Sequence, residues 1–219
     1  MKVLTVERKI LKKNEDIAAE NRQRFRQANL KVLNLLSSPG AGKTTLLERT
    51  LERLAPPYRV AVVEGDVQTD NDARRIARHK VPVVQVITRG GCHLEASLVQ
   101  EAVTNFELDQ LDLLFIENVG NLVCPANYDL GEDLKVVIIS TTEGDDKPLK
   151  YPPMFRVAHV CVINKIDLLP YVDFDVQKAR DYAHGINPDL RFFELSARTG
   201  QGLEHWVQWL ESLIPKPPA

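Results

Sequence analysis

Ser37-Ser38-Pro39-Gly40-Ala41-Gly42-Lys43-Thr44 follows an apolar run and opens a helical one. The phosphate-loop pattern is G-x-x-x-x-G-K-[ST], here with Ser37 in place of the first glycine. Gly40 and Gly42 let backbone N–H groups curl around phosphate oxygens. Lys43 can reach the β/γ-phosphates, and the Thr44 hydroxyl can ligate Mg²⁺. The helix N-terminus adds its positive dipole end. Residues Pro39, Gly40, Ala41, Gly42, Lys43, Thr44 and Thr45 are therefore the expected cradle of a nucleoside triphosphate. A plain glycine-rich turn explains the glycines but not the GKT tripeptide.

The base is addressed by Asn164-Lys165-Ile166-Asp167, an NKxD motif 122 residues after Lys43 and at the end of an apolar run. A carboxylate such as Asp167 can accept hydrogen bonds from both N1–H and the exocyclic amine of guanine, whereas adenine offers no such donor pair on that edge. Lys165 can lie over the base, and Asn164 can tie loops together. Leu195-Ser196-Ala197 ends a later run, and Ser196 and Ala197 are placed for backbone contact to the guanine carbonyl. The alternative for Asp167 is a helix N-cap.

Mg²⁺ needs more oxygen ligands than Thr44. Asp66 ends RVAVVEGD, Glu117 ends LDLLFIE, and Asp72 lies in the TDND turn, which also suits an N-cap. Glu117-Asn118-Val119-Gly120 has the shape of a DxxG loop with Glu for Asp. The Gly120 N–H could bond a γ-phosphate, a contact that disappears on hydrolysis. Lys43, Glu117 and Gly120 are thus the catalytic candidates. Asn121 stands where many GTPases place a water-orienting Gln, so slow hydrolysis of GTP to GDP is expected.

Cys92 and His93 directly precede a helical stretch, and Cys124 follows Gly120 by four residues. A Cys/His/Cys set suits a borderline divalent ion, Ni²⁺ or Zn²⁺. Three ligands leave a four-coordinate site incomplete, so water or a second copy of the chain must finish it. Spacing alone does not separate this from buried cysteines acting as small hydrophobes. Cys161, inside an apolar run, is expected in the core. His79, His159, His184 and His205 show no clustering.

These loops need a scaffold that brings them together. KVLNLLS, RVAVVEGD, VPVVQVIT, LDLLFIENV, LKVVIIST, HVCVINK and LRFFELSA read as strands, most of them continuous apolar runs. Helical stretches lie at 43–54, about 70–79, 94–105, about 175–185 and 202–214. The alternation predicts a doubly wound α/β fold, a mostly parallel sheet of the P-loop three-layer sandwich type. Ligands of such sheets bind beyond the carboxyl ends of the strands. Neighbouring strand ends are expected to bring Cys92, His93 and Cys124 to one edge.

A further helix is expected from Asn14, as N-cap, to Ala28, packed on the larger body. Residues 1–31 carry a net charge of +5, and the remainder balances to the overall −2. That basic segment reads as a solvated face or a docking surface for an acidic partner. We divide the chain into a basic helical extension (1–30), a P-loop GTPase domain (31–215) and a flexible tail (216–219). The overall charge suggests no nucleic-acid partner. No apolar run approaches the ~20 residues of a membrane span, and the N-terminus lacks a signal-peptide core, so a cytoplasmic location is expected. The three cysteines in 219 residues do not suggest a disulfide framework.

SSPGAGKTTLLERTL, EGDVQTDNDARRI, RGGCHLEA, ENVGNLVCPANYDLGE and NKIDLLPY, in this order, resemble the hydrogenase nickel incorporation GTPase family, HypB. The resemblance runs from about residue 31 to the C-terminus. It implies a nickel-handling GTPase that assists assembly of the [NiFe] hydrogenase centre and forms a homodimer with GTP. It also implies a metal site at the dimer interface, formed by Cys92, His93 and Cys124. The implied partners are a HypA-type nickel metallochaperone and the hydrogenase large-subunit precursor. Some members carry an N-terminal cysteine motif or His-rich tract for storing nickel. The first cysteine here is Cys92, so tight storage is not expected. Ser97 stands where some members have a further His, which leaves the full ligand set and the number of ions open.

Three other functions compete. A urease-type nickel accessory GTPase shares the nucleotide chemistry, but its corresponding loop does not resemble ENVGNLVCP. A regulatory GTPase without a metal role would tolerate loss of both thiols. A small-molecule kinase on this fold is disfavoured by NKxD.

Overall fold

The apolar runs assemble as one sheet at the centre of the molecule. The computed structural model describes residues 6–214, so the expected tail lies outside the described residues. The strands are β1 (Lys31–Ser37), β2 (Val60–Asp66), β3 (Val83–Ile87), β4 (Leu113–Glu117), β5 (Leu134–Ser140), β6 (Val160–Asn164) and β7 (Arg191–Glu194). Their order is β3-β2-β4-β1-β5-β6-β7, and every pairing is parallel. The helices are α1 (Val6–Gln27), α2 (Lys43–Leu54), α3 (Asn71–Ala77), α4 (Ala96–Ala102), α5 (Lys147–Lys150), α6 (Pro152–Val157), α7 (Val176–His184) and α8 (Leu203–Leu213). None of these helices is long and apolar enough to cross a membrane.

Period-two alternation along the central strands sends side chains to both faces, which is why their sequences are apolar throughout. Leu33 and Leu35 of β1 pack with Leu46, Leu47 and Leu51 of α2, Ile76 of α3, and Trp206 and Leu210 of α8. On the other face, Val32 packs with Phe25, Val99 and Ala102, and Leu36 with Met154, Phe155 and Ala179. The result is a three-layer α/β sandwich. Edge strands β3 and β7 are only partly covered. Cys161 is buried in β6, as expected for a core residue.

Three expectations need correction. Asn14 is not an N-cap: α1 begins at Val6, and Asn14 sits inside it with a buried side chain that bonds other segments. An interior asparagine carries the same helix-start signal in sequence, and only its tertiary partners separate the two roles. The strands preceding Cys92-His93 and Cys124 are β3 and β4, and these are not neighbours, since β2 lies between them. The 94–105 helix is also shorter in its α-helical part, with a 3₁₀ turn at Val103–Asn105.

Candidate functional site

The sheet reverses its winding around β1, which is flanked by β4 and β5. Such a point leaves a crevice at the carboxyl ends of the strands. A cavity of about 450 Å³ opens there, lined by Pro39, Gly40, Gly42, Lys43, Thr44 and Thr45 of the phosphate loop. Glu64, Asp66, Asp72, Arg75, Glu117, Asn118 and Gly120 complete much of its wall. Gly42 has φ 97°, and a Cβ there would lie 2.5 Å from Asn164 Nδ2. Strain in a left-handed position costs about 1–3 kcal/mol, roughly fivefold to 150-fold when expressed in binding. Gly42→Ala should therefore weaken nucleotide binding by about fivefold or more, read by titration with a fluorescent nucleotide. Affinity equal to the parent would contradict this.

Acidic groups gather at one end of the cavity. The Thr44 hydroxyl donates to Glu117 Oε1 at 2.6 Å. Carboxylate oxygens of Glu64, Asp66 and Asp72 lie within 4.8 Å of one another. Glu64 and Glu117 are cross-strand neighbours in the β2–β4 register, and each has a buried oxygen without a hydrogen-bond partner. Burial pushes the Glu117 carboxyl up, opposed by the Lys43 charge and the Thr44 bond. Asp66 also accepts the Gln68 and Thr69 N–H groups, which fixes the turn into α3. Asp70, not Asp72, occupies the N-cap position of α3. Asp72 instead pairs with Arg75, which also bonds Thr45 and Glu48. Oxygen donors in this number and proximity fit a hard divalent cation such as Mg²⁺.

Burial, then repulsion from Glu117, Asp66 and Asp72, raises Glu64 to about 8 from its ordinary 4.5. The folded chain thus holds this proton more tightly than the unfolded chain. The associated stability is complete below pH 4.5 and is lost as pH rises through about 8. Glu64→Gln, neutral throughout, should flatten that decline in metal-free protein. Thermal melts in chelator across this window would check it, and an equally steep decline would contradict it.

The NKxD segment does not line this cavity but is tied to the back of the phosphate loop. Asn164 Nδ2 donates to the Ala41 carbonyl at 2.9 Å, and Asn164 Oδ1 accepts the Lys165 and Ala197 N–H groups. Lys165, at φ 63°, donates through Nζ to the Gly40 carbonyl. Asp167 caps nothing and leaves a buried Oδ1 without a partner. Ser196 is buried, and its hydroxyl accepts the Thr199 N–H.

Although β3 and β4 are separated, their loops meet. Cys92, His93 and Cys124 each place a ligand atom within 4.8 Å of the others. Cys92 Sγ lies 3.5 Å from His93 Nδ1. The His93 ring stacks on Tyr128 at 3.8 Å, and its buried Nε2 makes no hydrogen bond. Burial lowers the His93 pKa, keeping a neutral, ligand-competent imidazole. Hydrogen bonding with Cys124, then burial, pushes the Cys92 thiol up, while a bond from Asn121 pulls it down. This cluster joins the nucleotide cavity through Asn118. Its Oδ1 accepts the N–H of Leu94, the residue after His93, at 3.1 Å.

Comparison with known proteins places these features in a family. The family described as CobW/HypB/UreG, nucleotide-binding domain, matches residues 31–194. The hydrogenase maturation factor HypB of Azotobacter vinelandii is 54% identical over 210 residues, 96% of this chain and 69% of that protein. The chain belongs to the HypB family. Two solved HypB structures have the same fold. That of Archaeoglobus fulgidus gives a TM-score of 0.86 at 39% identity, covering 92% of this chain and 98% of its own. That of Helicobacter pylori, in complex with nickel, gives 0.87 at 38% identity, covering 94% and 100%.

In this HypB-family chain four residues of the two sites had not been singled out in sequence. Glu64 carried a usable signal: a carboxylate inside an apolar parallel run, two residues before Asp66 and hence on the same face. Asn118, Arg75 and Tyr128 carried none, because their roles depend on loops brought together only by the fold.

Proposed function

We propose that the chain is a GTP-hydrolysing nickel metallochaperone that acts in assembly of the [NiFe] hydrogenase centre. The observation that carries this reading is one loop with two ends. Glu117 and Gly120 line the phosphate cavity, and Cys124 sits with Cys92 and His93 in a separate cluster. Asn118, between them, is bonded to the backbone beside His93.

GTP binds with its phosphates at residues 39–45 and its base at Asn164, Lys165, Asp167, Ser196 and Ala197. Lys43 and the Gly120 N–H meet the γ-phosphate. Thr44, Asp66, Asp72 and Glu117, together with Glu64, would hold Mg²⁺, which screens phosphate charge when bound. Asn121 does not replace a water-orienting Gln, since its side-chain oxygen already accepts the Val123 N–H, and this supports slow hydrolysis. Loss of the γ-phosphate then frees the loop and alters the metal cluster.

Nickel is the cargo at Cys92, His93 and Cys124, with zinc as the competing ion. The nickel complex of the similar H. pylori protein supports this choice. Three ligands call for a fourth, and a GTP-dependent homodimer would supply it from the second copy. Val123, beside Cys124, is 59% exposed, which suits a face covered on dimerisation. The remaining partners are a HypA-type metallochaperone and the hydrogenase large-subunit precursor. Location is cytoplasmic, with no nucleic-acid or membrane partner. Residues 31–215 form the GTPase domain, preceded by the extension at 1–30 and followed by the tail at 216–219.

Sedimentation and single-turnover hydrolysis test this reading. The chain should be monomeric with GDP, dimeric with a non-hydrolysable GTP analogue, and slow to hydrolyse GTP. A monomer in both states, or fast hydrolysis by the isolated monomer, would contradict it.

A further inference from the structure

We infer that α1 is a splint for the metal cluster, with Asn14 and Asn21 as the positioning residues that hold its two loops together. This rests on the metal reading of Cys92, His93 and Cys124. Asn14 and Asn21 lie two helical turns apart, on one side of α1, and are 5% and 0% exposed. Burying an amide is costly unless it is hydrogen-bonded; both of these bridge the start of α4 and the 129–130 loop, Asn21 through Nδ2 alone, its buried Oδ1 making no hydrogen bond. Asn14 Oδ1 accepts the Ala96 N–H at 2.8 Å, while its Nδ2 donates to the Asp129 carbonyl at 2.7 Å. Asn21 Nδ2 donates to the Ala96 carbonyl at 2.9 Å and to the Leu130 carbonyl at 3.1 Å. Arg22 adds a two-pronged bond to the Asp129 carboxylate at 2.6 and 2.7 Å.

The bridged residues flank the cluster. Ala96 follows His93 by three positions. Asp129 follows Tyr128, whose ring stacks on His93, and a short 3₁₀ turn over Cys124–Asn127 links Tyr128 to Cys124. The approach is close: a Cβ at Gly131, at φ 92°, would lie 2.7 Å from the Ala18 carbonyl oxygen and from Asn21 Cβ. Phe25 and Leu30 anchor the end of this segment in the core beside Leu94. Among the described residues, none of α1 lines the nucleotide cavity. The splint therefore acts on the separation of His93 from Cys124 and not on the phosphates.

The test is titration of the full chain with Ni²⁺ alone and with Zn²⁺ alone, comparing the parent with Asn14→Ala and Asn21→Ala. Displacing groups behind metal ligands typically costs about 10–100-fold in affinity, and a nickel loss of that order is expected. The thiolate-to-nickel absorption should shift as well, with guanine-nucleotide affinity unchanged. Parent-like nickel affinity and spectrum in folded variants would overturn the splint, as would parallel losses of nickel and nucleotide. Should the variants not fold, amide exchange in the parent decides. Nickel loading must slow exchange across α1, because coupling between sites is reciprocal, and unchanged exchange overturns the proposal. A parent that binds neither ion, or binds both equally well after Cys92→Ser and Cys124→Ser, defeats the metal reading itself.

Discussion

Asp167→Asn should convert the chain from a guanine binder to a xanthine binder. The Asp167 carboxylate accepts two hydrogen bonds when it faces guanine. The carboxamide that replaces it presents one acceptor and one donor, so its N–H₂ confronts the exocyclic amine of guanine. Xanthine carries a carbonyl at that position and restores the match. Hydrogen bonds to a charged group contribute about 1.5–3 kcal/mol each, so losing one and opposing its partner should cost about a hundredfold or more in GTP affinity. The buried, partnerless Asp167 Oδ1 makes the effect large, because that atom has no other protein group to satisfy it. Competition between GTP and xanthosine triphosphate for a fluorescent nucleotide would report it. Unchanged preference for GTP would mean that Asp167 does not face the base.

Cys124→Ser and Cys92→Ser should each strongly weaken nickel binding while sparing the nucleotide. A serine hydroxyl stays protonated at neutral pH and is a harder donor than a thiolate. Loss of a direct ligand should exceed the ~10–100-fold typical of changes behind the ligands. Neither sulfur lines the phosphate cavity, so GTP affinity serves as the internal control. Nickel affinity by competition with a chromophoric chelator, together with the thiolate absorption band, gives the readout. Retained affinity in both variants would make the thiols incidental and would favour a regulatory GTPase without a metal role.

The central sheet was legible because strands covered on both faces must be apolar along their whole length. Each of the seven runs became a strand, trimmed at its ends where the chain turns into a loop. The phosphate loop was legible for a related reason: its curvature is local to Gly40 and Gly42, and its residues line the cavity. The Asn14 and β3–β4 errors have a different origin. An asparagine before an apolar helical stretch carries the same signal whether it caps the helix or bonds across the fold. Strand order is set by crossovers that leave no mark at Cys92 or Cys124, so their meeting follows from loop length and not from strand adjacency. The bond from Asn118 to Leu94 was invisible for the same reason, since 24 residues separate its ends.

The central claim is that one loop makes metal affinity depend on the nucleotide. Its most direct test is the nickel dissociation constant of the unmodified chain, measured with saturating GDP and with a non-hydrolysable GTP analogue. The two values should differ clearly if a γ-phosphate bonded to Gly120 moves Asn118 and Cys124 together, as proposed. Equal nickel affinity in the two nucleotide states would contradict the coupling, whatever the identities of the ligands.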